Sequence, residues 1–179
     1  ASIAAFKGKE FSVNAGTFFS APQVWSTVPT PNGLMSGTTK DAKGVSVMPA
    51  LAMVWGKKDS KHHWGVSAFG VSGFGVEFPT NMTNPISLPQ NMGGFGTIKS
   101  NYMLMQVGLT YAYELSDKFS IGIQPTFNWG ALQLEPNPLA SPSMTLGYPK
   151  SDNASAFGAG AQVGIYYNSG KGLKLGASY

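Results

Sequence analysis

The sequence predicts an all-β fold, an antiparallel transmembrane β-barrel, and three observations carry that prediction. Apolar and small polar residues alternate over long stretches, the connections between those stretches alternate long and short, and aromatic residues collect where the stretches end. The clearest case runs from Met103 to Trp129. Met103, Met105, Val107, Leu109, Tyr111 and Tyr113 share one face of a first strand, opposite Leu104, Gln106, Gly108, Thr110, Ala112 and Glu114. Phe119, Ile121, Ile123, Pro125, Phe127 and Trp129 share a face of the next, opposite Ser120, Gly122, Gln124, Thr126, Asn128 and Gly130. Pairing Glu114 with Lys118 leaves Leu115-Ser116-Asp117 as the loop of a hairpin and puts both apolar rows on one side of the sheet. At roughly 3.3 Å per residue and a tilt near 40°, Phe119 to Trp129 climbs about 25 Å, the height of a barrel's apolar band.

The remaining strands follow the same rule. After a lead-in from Ala1 to Lys9, Glu10 to Phe19 alternates with Phe11, Val13, Ala15, Thr17 and Phe19 on one face. Residues 20–44 hold Pro22, Pro29, Pro31 and Gly33 and read as a long loop. Val45 to Gly56 is the second strand, interrupted by Pro49, which cannot donate to a ladder. A short charged turn leads to the third, Trp64 to Phe78, with Trp64, Val66, Ala68, Phe74, Val76 and Phe78 placed on one face and Phe69, Val71 and Glu77 on the other. Its glycines at 65, 70, 73 and 75 invite a kink. Residues 79–101 and 131–153 are two further long loops. Ala154 to Asn168 is the sixth strand, and Leu173 to Tyr179 begins a seventh. Trp55, Trp64, Tyr113, Phe119 and Tyr167 then lie at turn ends, and Phe19, Phe74 or Phe78, Trp129 and Phe157 at loop ends, as two girdles.

Composition narrows the functional classes. The chain of 179 residues is one domain with only 11% charged residues and 23 glycines. No apolar run approaches the length of a transmembrane helix. All 12 basic residues are Lys, so the net charge of +4 comes without the bidentate Arg recognition that nucleic-acid binding favours. Cysteine is absent, which removes disulfides and thiolate sites and leaves the compartment open. The plain competitor, a soluble β-sandwich, accounts for the alternation but not for strands of 10 to 15 residues or for loops alternating in length.

Seven strands cannot close an ordinary bacterial barrel, which uses an even number, so the sequence reads as cut short. The order of features resembles the FadL-type outer-membrane transporters of long-chain fatty acids and aromatic hydrocarbons. Ala1-Ser2-Ile3-Ala4-Ala5-Phe6-Lys7-Gly8-Lys9-Glu10 resembles the segment after that family's Asn-Pro-Ala motif. Tyr111 to Gly122 resembles its fourth-to-fifth strand turn, and Phe157 to Tyr179 its sixth and seventh strands. The resemblance implies the first half of a fourteen-stranded barrel, with residues 1–9 leading in from an N-terminal hatch. It also implies a monomer in the outer membrane, in contact with its lipid, that passively takes up a hydrophobic small molecule or fatty acid. No cofactor and no reaction are expected. A structural or adhesive barrel with partner-binding outer loops is the alternative.

Candidate binding residues follow from both readings. Phe69 and Val71 face the lumen where water is expected, and either pack against a plug or line a path for an apolar ligand. By the resemblance, Gly70, Gly73 and Gly75 permit an inward kink that opens a route. In the third loop Leu132, Leu134, Leu139, Met144 and Leu146 present more apolar area than a solvated loop needs, for ligand capture or for self-packing. Lys174 faces the lumen, either as a partner for a carboxylate head group or as a solvated charge. His62 and His63 are expected to be solvated, since extended neighbours point apart and make poor joint metal ligands. Glu77 and Glu114 are expected at opposite ends of the wall, too far apart for paired catalysis.

Overall fold

Each alternating stretch becomes a strand in the computed structural model, which describes residues 1–179. The strands are β1 (Gly8–Phe19), β2 (Gln23–Thr30), β3 (Gly33–Lys40), β4 (Val45–Gly56), β5 (His62–Phe78), β6 (Ile98–Glu114), β7 (Phe119–Glu135), β8 (Ala154–Asn168) and β9 (Lys174–Ser178). Seven of them form one antiparallel sheet in the order β1-β4-β5-β6-β7-β8-β9, with β1 and β9 at its edges. The sheet curls into a half-barrel. Antiparallel up-and-down connection puts the links 57–61, 115–118 and 169–173 at one end, here the turn end, and the three long connections at the other, the loop end.

The sheet is a wall, with no core of the kind a sandwich needs. Of 179 residues only 14 are buried, and the apolar ones are Ala4, Phe78, Ala112 and Ala131, so large hydrophobic side chains are almost entirely on the surface. They are there by register. Phe11, Met53, Val66 and Leu109 are successive partners across β1, β4, β5 and β6, and Tyr111, Ile123 and Val163 across β6, β7 and β8. All of these lie on the outer face, because antiparallel partners point the same way. At the turn end, Trp55 pairs with Trp64 and Trp64 with Tyr111, whose rings lie 4.7 Å apart, and Phe119 stacks on Tyr167 at 5.2 Å. A continuous apolar belt above an aromatic girdle is what hydrocarbon stabilises and water does not.

Three expectations about elements need correction. Residues 20–44 are not a plain loop: β2 and β3 form a separate hairpin, Thr30 pairing with Gly33 around Pro31-Asn32. Prolines that break a central strand are tolerated in a two-stranded ribbon, and Gly33 at φ 114 supplies the conformation the turn needs. This hairpin leans on the 79–97 connection through buried Asn84, which donates to the Val24 carbonyl at 3.1 Å and to Thr39 Oγ1 at 2.9 Å. The β6–β7 turn is also shifted: Glu114 pairs with Ser120, and Leu115 N–H donates to the Phe119 carbonyl, so the loop is Ser116 to Lys118. Ser116 Oγ accepts from Phe119 N–H at 3.2 Å and fixes that geometry. The shift is by two, so every side chain keeps its predicted face.

The third correction concerns β5. Its register with β6 passes from Gly70↔Met105 to Ser72↔Leu104, leaving Val71 as the extra residue of a β-bulge. One inserted residue exchanges the two faces beyond it. Gly73 and Gly75 therefore sit in the outer row with Met103 and Asn101, while Phe74, Val76 and Phe78, expected on the outer face, follow Tyr102, Ser100 and Ile98 to the lumenal side. The loop bounds move as well, because β6 begins at Ile98 and β7 continues to Glu135.

Candidate hydrophobic-ligand site

The ladder between β4 and β5 stops half-way up the wall. Its pairs run from Gly56↔His63 to Ala50↔Phe69. Above Ala50 comes Pro49, which has no N–H to donate, and beyond Phe69 come Gly70 and the bulge at Val71, which bends β5. Contact resumes near the loop end, where Ala42 N–H donates to the Glu77 carbonyl at 2.8 Å and Glu77 N–H to Asp41 Oδ1 at 2.6 Å. Between these limits the β5 edge from Gly70 to Val76 faces Val45–Pro49 without a strand ladder, an aperture in the side of the wall. A cleft of about 190 Å³ lies there, lined by Met48, Pro49, Gly70, Gly73, Met103 and Met105 among others.

Two side chains occupy this aperture. Met48 reaches in from β4, and a Cβ at Gly70 would lie 3.6 Å from it. Lys43 crosses the outer surface of β5 to donate to Asn101 Oδ1 at 2.6 Å. A Cβ at Gly75 would fall 2.0 Å from the Lys43 nitrogen, so that crossing exists because residue 75 has no side chain.

Behind the aperture the lumenal face is apolar in its loop-end part and polar below. Phe74, Tyr102, Leu132 and Ala154 are partners across four strands, with the Phe74 and Tyr102 rings 5.0 Å apart. With Leu104 and Ala156, Tyr102 and Leu132 line a concavity of about 430 Å³. Below it, Gln106 donates to Asn128 at 2.8 Å, and further down Gln124 donates to Ser67 at 3.2 Å. An apolar molecule would therefore find matching surface near the loops and at the aperture, and a hydrogen-bonded polar wall below them.

The candidates divide accordingly. Gly70, Gly73 and Gly75 lie along the aperture edge, with Val71 exposed at the bulge and Phe69 on the lumenal face beside Gln106. Leu132 and Leu134, expected in a loop, are strand residues of β7 pointing into the lumen, Leu132 beside Tyr102. Leu139, Met144 and Leu146 are 93%, 105% and 80% exposed on the third loop, and line neither the aperture cleft nor the lumenal concavity. That loop is tied to the second by Gln90, which donates to the Tyr148 carbonyl at 2.9 Å. Lys174 pairs with Asn168 on the lumenal row at the turn end, opposite in height to the apolar patch. Glu77 and Glu114 lie at opposite ends of the wall.

Sequence reasoning missed Phe74, Tyr102 and Leu104 as lumenal lining. The available signal was the appearance of apolar residues in both parities across Phe69, Val71 and Phe74. His63 was also misplaced: it is fully buried, not solvated, with Nδ1 3.1 Å from the Phe6 carbonyl and Nε2 2.7 Å from Glu114 Oε1. Since adjacent strand residues point apart, one of His62 and His63 had to face the lumen.

No family model and no curated protein matches the chain. Solved structures do. The toluene transporter TodX of P. putida superimposes with a TM-score of 0.69 at 17% identity over 99% of this chain and 48% of its own. The fold is that of a FadL-type barrel, its N-terminal half. A FadL homologue of Pseudomonas aeruginosa gives a TM-score of 0.68 at 12% identity, over 99% of this chain and 44% of that one. A TodX deletion mutant described as a monoaromatic hydrocarbon channel gives 0.62 at 18%. The chain thus spans about half the length of the FadL-type barrels it matches.

Proposed function

We propose that this chain is the first half of the wall of an outer-membrane channel that takes up hydrophobic compounds passively, with the side aperture between β4 and β5 as the route between lumen and membrane. The observation that carries the reading is the junction of two surfaces on one strand. β5 supplies Phe74 to the apolar lumenal patch and Gly70 to Val76 to the aperture edge, so a ligand resting on Tyr102 and Leu132 lies next to the gap. The names of the similar structures, a toluene transporter and a monoaromatic hydrocarbon channel, agree with this substrate class. On this reading residues 1–9 lead in from a hatch, the exposed Leu139, Met144 and Leu146 make first contact with the ligand, and no reaction or energy source is involved.

The test is a homologous series. Burial in the patch contributes about 0.8 kcal/mol per methylene, so affinity should rise by roughly fourfold with each added CH₂ until the concavity is full. Tryptophan quenching or calorimetry on the reconstituted protein measures this. Flat affinity across the series contradicts a binding surface that is apolar.

A further inference from the structure

The aperture cleft is mostly apolar, and its charge is confined to the loop-end rim. Val47, Met48, Pro49, Phe74, Met103 and Met105 line its body, and Lys43 is the one charged residue of the lining. Outer-row Met103 and Met105 border the same space as lumenal Phe74 and Tyr102, so the cleft passes through the wall. Register fixes the height of the charge. Met105 stands opposite Gly70, at the lower end of the edge that faces β4 without a ladder, and Asn101 stands opposite Gly75 near its upper end. The Lys43 ammonium, bonded to Asn101, is therefore held above the apolar body of the cleft, on the side of the loops.

This half-buried cation has no counter-ion. Its hydrogen-bond partner is neutral, Asn101 Oδ1 at 2.6 Å, and it takes part in no ion pair. The carboxylates two residues from Lys43 and from Gly75 are engaged elsewhere: Asp41 accepts the Glu77 N–H at 2.6 Å, and Glu77 accepts from Lys99 at 2.7 Å. An ammonium beside apolar surface favours an anion, because a charge-assisted hydrogen bond is stronger than a neutral one. Asn101 supplies a second donor. Its Oδ1 is taken by Lys43 while Nδ2 bonds nothing in the protein, so an ammonium and an amide N–H stand side by side, and a carboxylate has the acceptor capacity for both.

We propose that Lys43, together with Asn101, is a head-group site at the aperture that selects apolar molecules carrying a carboxylate over neutral molecules of the same shape. The proposal rests on the channel reading above and adds a specificity-determining residue to it. The carboxylate sits at the rim, and the apolar body lies down the cleft against Met48, Phe74, Met103 and Met105. A neutral hydrocarbon makes only the second of these contacts.

The experiment measures, by calorimetry at neutral pH, the binding of a phenylalkanoic acid, its primary amide and the amine of the same length to the full-length protein in detergent. The parent should prefer the acid to the amide by about tenfold, the worth of one hydrogen bond to a charged group. In Lys43→Met that preference should vanish, and in Lys43→Glu the amine should become the preferred ligand. Affinity ratios do not depend on how much of a variant is folded, so lost stability cannot imitate the result. A parent without preference, an acid preference retained in Lys43→Met or Lys43→Glu, or a short-chain phosphatidylglycerol that binds tighter than the acid at Lys43 overturns the proposal, the last by giving the site to a lipid phosphate. Failure of the channel reading has a different signature: the binding ratios hold, but whole cells carrying the parent take up no more of the acid than cells lacking the protein.

Discussion

Deletion of Val71 should leave the barrel folded and reduce uptake of a hydrophobic probe to the level of cells lacking the protein. Val71 is the extra residue of the β5 bulge, and the pairs on either side of it, Gly70↔Met105 and Ser72↔Leu104, become consecutive when it is removed. Because the residues beyond the bulge already occupy the faces a regular ladder would give them, the deletion asks no side chain to change sides. It removes only the bend. A straight β5 edge can then run on beside Val45–Met48, past the single donor missing at Pro49, and the aperture narrows. Uptake in whole cells together with heat-shifted gel mobility measures the two properties separately. Undiminished uptake by a folded deletion variant would remove the aperture from the route.

The second large effect is on stability. Replacing Ile123 by Lys should destabilise the reconstituted protein by about 2–4 kcal/mol, the cost of a Lys on the lipid face near the bilayer midplane. Ile123 lies in the outer row between Tyr111 and Val163 and is 45% exposed in a wall that a membrane would cover. Its neighbour Gln124 points the other way and bonds Ser67, so Gln124→Lys should cost only about 1 kcal/mol, the value of that hydrogen bond. Denaturant unfolding from vesicles compares the pair. Equal costs, or the reverse order, would mean that the outer face meets water.

Most of the wall was legible because period-two alternation survives along every strand of it except β5, where it breaks at Val71. The bounds of β4 and β8 follow from sequence residue by residue, as does the girdle of Trp55, Trp64, Phe119 and Tyr167. What escaped has specific physical causes. Pro22, Pro29 and Pro31 mask the β2–β3 hairpin, since proline signals a loop in a central strand and is harmless in an isolated ribbon. The bulge at Val71 is a single-residue insertion, invisible to alternation until its partner strand is known, so Phe74 was placed on the wrong face and the lumenal patch with Tyr102 and Leu132 went unread. Of the candidate binding residues, Gly70, Gly73 and Gly75 share an edge because they are close in sequence. Lys174 and Leu139 are separated by the height of the wall, a distance that composition does not encode.

In a membrane wall, odd-numbered residues from Phe119 to Phe127 face hydrocarbon and even-numbered ones face an aqueous lumen. A single-cysteine scan of that stretch in liposomes tests it directly, the chain having no cysteine of its own. Positions 119, 121, 123, 125 and 127 should be reached by a lipid-soluble quencher and protected from a charged thiol reagent, and positions 120, 124 and 126 should show a weaker response to the quencher. A scan without alternation, or with the charged reagent reaching the odd positions, would contradict the membrane wall and every functional conclusion built on it.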